Sequence, residues 1–195
     1  YPHSGNAYTI GVTGPPGSGK STLVDRLVRR FCETDGSVGI IAVDPTSPYS
    51  GGALLGDRVR VHMEPAQGDV FFRSMSAGRT MGGLAGATKD AVRILDACGK
   101  QIILIETVGV GQSELDIAQT TDTVVVVLVP EAGDTIQILK AGLMEIADIY
   151  VVNKADRPGG ETLSHAVETM LDRAPRSMDR RPPVFVTSAC LNQGI

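Results

Sequence analysis

The sequence has no excess of positive charge: 18 lysines and arginines stand against 22 aspartates and glutamates, for a net charge of −4. That balance leaves no broad basic face with which to hold nucleic acid. The run Arg173, Arg176, Arg180, Arg181 reads as a solvated helix end and loop. Cysteine is scarce. Cys32, Cys98 and Cys190 lie far apart, with neither a C-x-x-C pair nor a Cys/His cluster, so no disulfide framework is indicated. The expectation is three buried or half-buried thiols in a reducing compartment. No secretory leader and no apolar run of about eighteen residues occurs, which points to a soluble, cytoplasmic protein with no membrane partner. Repeats and low-complexity segments are missing too. What remains suits one α/β domain, long enough to bury a substantial core.

Within that domain one stretch carries the strongest chemistry: Gly14-Pro15-Pro16-Gly17-Ser18-Gly19-Lys20-Ser21-Thr22. It follows an apolar run (Tyr8, Ile10, Val12) and opens a segment with Leu23, Val24, Leu27, Val28 and Phe31 at helical spacing. Strand, glycine-rich turn and helix form the setting in which G-x-x-x-x-G-K-[S/T] is a phosphate-binding P-loop. A polyphosphate needs backbone N–H groups pointing inward, so side chains must stay clear and glycines must take positive φ. The helix N-terminus adds partial positive charge. Lys20 is expected to reach the β- and γ-phosphates, Ser21 to ligate Mg²⁺, and Thr22 to meet the α-phosphate.

The rest of the chain alternates strand and helix, which predicts a mostly parallel sheet of about seven strands with helices on both faces. Val38–Val43 is a continuous buried run of the kind found in parallel sheets. It ends at Asp44, placed at a strand's carboxyl end and expected near the Mg²⁺ shell; Asp57, in the glycine-rich stretch beyond, is a further candidate. Val70-Phe71-Phe72 is a short strand candidate, and the helix after it carries Leu84, Val92, Leu95 and Cys98 on one side. Gln101–Glu106 is the next buried strand, and Glu106-Thr107-Val108-Gly109 has the acid-x-x-Gly form that holds Mg²⁺ and senses a γ-phosphate. Lys20, Glu106 and Gly109 are the expected catalytic set; Ser21, Asp44, Asp57 and Glu106 are the expected metal set. Thr123–Val129 is the most apolar strand and is expected at the centre of the sheet.

Ile149–Val152 delivers Asn153-Lys154-Ala155-Asp156, an N-K-x-D at a strand end. A carboxylate at Asp156 can accept from both N1–H and the 2-amino group of guanine, neither of which adenine presents. A buried carboxylate left unpaired by adenine carries a penalty large enough for selectivity. Lys154 would pack its stem along the base, and Asn153 would brace the loop. A last strand, Pro183–Val186, runs into Ser188, Ala189 and Cys190, whose backbone N–H groups are expected at the guanine O6. The predicted ligand is GTP or GDP with Mg²⁺.

With these residues in place the sequence resembles the MeaB/ArgK-type GTPases, chaperones of B12-dependent acyl-CoA mutases. The likeness runs through Val12–Thr22, Val43-Asp44-Pro45, Gly51-Gly52 with Gly56-Asp57-Arg58, Gly82-Gly83, Ile105–Glu114, Gly133-Asp134 with Gln137, Ala147-Asp148 and Asn153–Asp156. Its specific part is Glu106-Thr107-Val108-Gly109-Val110-Gly111-Gln112-Ser113-Glu114, with glutamate where other GTPases carry aspartate. The resemblance implies slow GTP hydrolysis that gates cofactor loading and protection of a cobalamin-dependent mutase, methylmalonyl-CoA mutase or a relative. It also implies helical extensions at both ends, outside residues 1–195, the C-terminal one giving a homodimer in the full-length protein. Two other readings compete: a nickel-type metal-insertion GTPase, whose His- or Cys-rich motifs are missing here, and a P-loop small-molecule kinase or transport-associated ATPase, against which Asn153–Asp156 argues. Within the first reading, Asp134 and Lys140, in the Glu131–Lys140 loop, are expected to pass nucleotide state to the mutase.

Overall fold

The computed structural model describes residues 3–34, 36–44, 68–76, 86–107, 113–130, 143–173 and 181–195. Seven strands form one sheet: β1 (Tyr8–Thr13), β2 (Val38–Asp44), β3 (Val70–Ser76), β4 (Ile102–Thr107), β5 (Thr123–Leu128), β6 (Ile149–Val152) and β7 (Val184–Val186). Their order is β3-β2-β4-β1-β5-β6-β7, and all six pairings are parallel. Every strand therefore ends on the same edge of the sheet. The helices are α1 (Lys20–Cys32), α2 (Gly86–Ala97), α3 (Ser113–Ala118), α4 (Met144–Ile146) and α5 (Gly160–Arg173). Among the described residues no helix is long and apolar enough to cross a membrane.

The two-residue period of the strands sorts the core into two layers. On one face Leu23, Val24, Val28 and Cys32 of α1 pack on Val12, Ile40, Leu104, Val125 and Val127. On the other, Leu95 of α2, Ile117 of α3 and Val167 and Leu171 of α5 pack on Ile41, Ile103, Ile105, Val124, Val126 and Tyr150. The β-branched runs thus have each side covered by helices, as a parallel sheet requires. Tyr150 is fully buried, and the loss of water pushes its phenol up to about 12.

Two expectations need correction, and one element was not foreseen. The central strand is β1; β5, though the most apolar, lies one place to its side. Cys32 is buried as expected, but Cys98 and Cys190 are exposed. Cys98 follows the last turn of α2 and Cys190 sits in a turn after β7, so neither reaches the core. Ser113–Ala118 is a helix that the periodicity of the sequence did not mark. Arg173 and Arg181 are solvated, with Arg181 paired to Asp172 at 3.0 Å, whereas Arg176 and Arg180 lie outside the described residues.

Candidate nucleotide site

β1 leads straight into the glycine-rich turn, and the turn leads straight into α1. Gly14 has φ 136°, and a Cβ there would stand 2.1 Å from the Val127 carbonyl oxygen of β5. No other residue type fits so near a neighbouring strand. Gly19 takes φ 86° at the start of α1, which has no side-chain cap and no acid in its first turn. A helix start left in this state offers its amides and partial charge to an anion. Lys20 is 6% exposed, and its Nζ donates to the Gly14 and Pro15 carbonyls at 2.8 and 2.9 Å. The cation is thus held at the mouth of the turn. Gly17 and Pro16 stay exposed there, while Ser18 is fully buried beneath them.

Ser21 follows Lys20 on the first turn of α1. Its hydroxyl donates to Glu106 Oε1 at 2.6 Å. Glu106 lies on the same face of β4 as Leu104, the face α1 covers, and is 4% exposed. A hydroxyl and a carboxylate converging at a phosphate-type turn are hard oxygen donors, a set that suits Mg²⁺. One residue on, Thr107 donates from Oγ1 to Thr13 Oγ1 at 2.9 Å, both side chains fully buried. This link between the end of β4 and the end of β1 was missed in the sequence, because it depends on which strands are neighbours. Asp44 ends β2, one strand further out; its side chain lies outside what the structure describes. Asp57, Gly109, Gln112, Asp134 and Lys140 also lie outside the described residues.

The base-recognition residues assemble beside this turn. Asn153, 2% exposed, donates from Nδ2 to the Ser18 carbonyl at 2.9 Å. Its Oδ1 accepts from Thr187 Oγ1 at 3.2 Å and from the Ala189 N–H at 3.0 Å. One amide therefore ties the phosphate turn to the loop after β7, 36 residues further along the chain. Lys154 is held at φ 59°, a left-handed conformation costing about 1–2 kcal/mol for a residue with a Cβ. Flanking bonds impose it: Asn153 N–H to the Leu128 carbonyl at 2.8 Å and Ala155 N–H to the Thr187 carbonyl at 3.0 Å. Such strain gathers at functional loops.

Ser188 donates from Oγ to Asp156 Oδ1 at 2.5 Å, and this bond, more than the nearby Arg157 and Lys154, draws the carboxyl below its ordinary range. Asp156 is exposed rather than buried, so any desolvation that sharpens base choice must come from the base itself. The Ser188 N–H is committed to the Gln193 carbonyl at 3.0 Å and the Ala189 N–H to Asn153. Cys190 stands next in this turn, exposed.

Over residues 1–195 the chain matches the family model described as methylmalonyl Co-A mutase-associated GTPase MeaB. It is 52% identical over 198 residues to a candidate GTPase of Pyrococcus abyssi, covering all of this chain and 61% of that protein. It is 36% identical over 192 residues to the mitochondrial methylmalonic aciduria type A homolog of Mus musculus, covering 96% of this chain and 46% of that one. Among solved structures, one named LAO/AO transport system kinase superposes with a TM-score of 0.77 at 29% identity, over 99% of this chain and 57% of its own. The chain thus spans about half to three fifths of the length of the proteins it matches.

Proposed function

The chain belongs to the family of methylmalonyl-CoA mutase-associated GTPases described by the MeaB model, and from that premise we propose that it binds GTP with Mg²⁺, hydrolyses it, and signals its nucleotide state to a cobalamin-dependent acyl-CoA mutase. The observation that carries the nucleotide part is the Asn153 bridge, which joins an uncapped phosphate turn to a loop bearing an ionised, oriented carboxylate at Asp156. Asp156 accepts from N1–H and the 2-amino group of guanine, and Ser188 fixes the direction of that carboxylate. Lys154 packs along the base. With the Ser188 and Ala189 N–H groups committed to Gln193 and Asn153, the Cys190 N–H is the donor this turn offers to the O6 edge. The amides of Gly17 through Thr22 surround the phosphates, and Lys20 moves from the loop carbonyls to the β/γ oxygens. Ser21 and Glu106 would hold the Mg²⁺, with Asp44 and Asp57 as outer candidates, and an ion so held would supply positive charge against that of the phosphates. Gly109 is placed by this reading at the γ-phosphate.

The partner is supported by the family description and by the name of the mouse relative. In this reading Asp134 and Lys140 carry the coupling, so their alanine variants in the full-length protein keep GTP affinity and lose mutase-stimulated hydrolysis. The direct test of the site is titration with labelled GDP, GTP and ATP. Lys20→Ala abolishes tight triphosphate binding. Asp156→Asn puts a donor against the donors of guanine and lowers GDP affinity by a factor of roughly 10². Wild-type affinity in the Asp156 variant, or equal binding of ATP and GTP, would overturn the guanine assignment.

A further inference from the structure

Arg26 stands in the second turn of α1, on the same face as Thr22, one turn beyond the phosphate loop. Its Nε donates to the Ala189 carbonyl at 3.0 Å, across 163 residues of sequence. Two other arginines of α1 are paired within the helix or at its end: Arg29 with Asp25 at 3.1 Å and Arg30 with Glu33 at 2.9 Å. Among the described residues Arg26 has no carboxylate partner, and it directs its donor at a neutral peptide oxygen instead. That peptide oxygen belongs to a residue only 1% exposed, whose N–H is already held by Asn153. Ala189 is therefore held through its N–H by the end of β6, and through its C=O by the phosphate helix at 3.0 Å and by the Asn192 N–H of its own turn at the longer distance of 3.4 Å.

We propose that Arg26 is a positioning residue for the base, setting the height of the Ser188–Cys190 turn relative to the phosphate loop. Ser188, adjacent to the gripped peptide, orients Asp156, and Cys190 follows it directly. Loss of the Arg26 bond lets that turn move away from the base while Lys20, Ser21 and the phosphate amides keep their places. The effect falls on the base end of the ligand, and within it on groups that meet Asp156. This inference rests on the guanine reading of the site given above.

The test uses two variants of nearly equal shape. In Arg26→Gln the amide nitrogen occupies the place of the arginine Nε and still donates; in Arg26→Met a methyl group occupies it and cannot. Each is titrated with GDP, with inosine diphosphate, which lacks the 2-amino group, and with ADP, and its thermal midpoint is recorded. The expected result is wild-type GDP affinity in Arg26→Gln and about a tenfold loss in Arg26→Met, the size of one hydrogen bond. The preference for GDP over inosine diphosphate falls in Arg26→Met alone, with a thermal midpoint lowered by no more than about 2–4 °C, the cost of one hydrogen bond. Equal affinities and preferences in the two variants overturn the role of Arg26 while leaving the guanine site standing. A loss of equal size for all three nucleotides assigns Arg26 to general stability and also overturns it. A wild-type protein that does not prefer GDP to ADP removes the guanine reading itself.

Discussion

Gly19 and Asn153 meet so closely that a single methyl group should separate the phosphate turn from the base loop. A Cβ on Gly19 would lie 2.4 Å from Asn153 Nδ2, the atom that donates to the Ser18 carbonyl. Gly19→Ala carries two costs. Alanine at φ 86° carries about 1–2 kcal/mol of left-handed strain. Displacement of the Asn153 amide leaves the carbonyl of the fully buried Ser18 without that partner, about 1–3 kcal/mol. The expected destabilisation is about 2–5 kcal/mol. Asn153→Ala alone removes the same bond, together with those from Thr187 and Ala189, and should cost a similar amount. In the double variant the Ser18 bond is lost once, not twice, and the alanine at 19 no longer has an amide to strike. The sum of the single effects should therefore exceed the double effect by about 1–3 kcal/mol. Urea unfolding at pH 7, with midpoints and slopes compared across the four proteins, measures this difference. Additivity to within about 0.5 kcal/mol would refute the contact as the source of the cost.

Three further outcomes follow from the packing. Gly11→Ala would place a Cβ 2.5 Å from Ile117 Cγ1 and 2.6 Å from its Cδ1. Overpacking of about 1–3 kcal/mol is expected, relieved when Ile117→Ala is added, as a thermal-melt cycle will register. Asp96 accepts from the amides of Gly5, Asn6 and Ala7, and the Gly5 amide is the main reason its carboxyl is drawn down. Its contribution is thus present above the ordinary aspartate range and lost as pH falls through the lowered value. Asp96→Ala should lower stability at pH 7, with the gap to wild type closing as pH falls below the ordinary aspartate range in denaturant titrations. Tyr150 titrates near 12 when folded and 10.0 when unfolded. The unfolded chain therefore releases that proton first, and stability falls by on the order of 3 kcal/mol from pH 10 to 12. Tyr150→Phe should flatten that part of the wild-type slope, and an unchanged slope would exclude the phenol as its origin.

Residue order revealed most where chemistry demands a fixed residue at a fixed spacing. Lys20, Ser21 and Glu106 come together because a turn before a helix and an acid at the end of the adjacent strand leave little freedom. The continuous Val124–Leu128 and Val38–Val43 runs likewise announce strands covered on two sides. What stayed hidden depends on distant partners. β1, with Gly11 at its middle, is less apolar than β5 and is central only because β4 and β5 choose its two edges. The six residues of α3 are too few for a helical period to emerge. The exposure of Asp156 is set by the arrangement of loops around it, and no local pattern encodes it. The bond from Arg26 to Ala189 follows the same rule, since nothing near either residue indicates the other.

The strand order also has a consequence for synthesis. β1 is made first among the strands, yet both of its neighbours come late. Tyr8 waits for Thr123, 115 residues later, to which its hydroxyl bonds, and Thr13 waits for Thr107, 94 residues later. At about 5–20 residues per second, a ribosome needs roughly 6–23 seconds to make the second edge available. Until β4 emerges the nascent β1 has two open edges, and α1, which follows it directly, covers one of its faces. Non-local parallel pairing of this kind is slow to form once the chain is free. The nucleotide turn, which hangs from the end of β1, therefore takes its final shape only after β4 and β5 have docked, and the base loop completes it last.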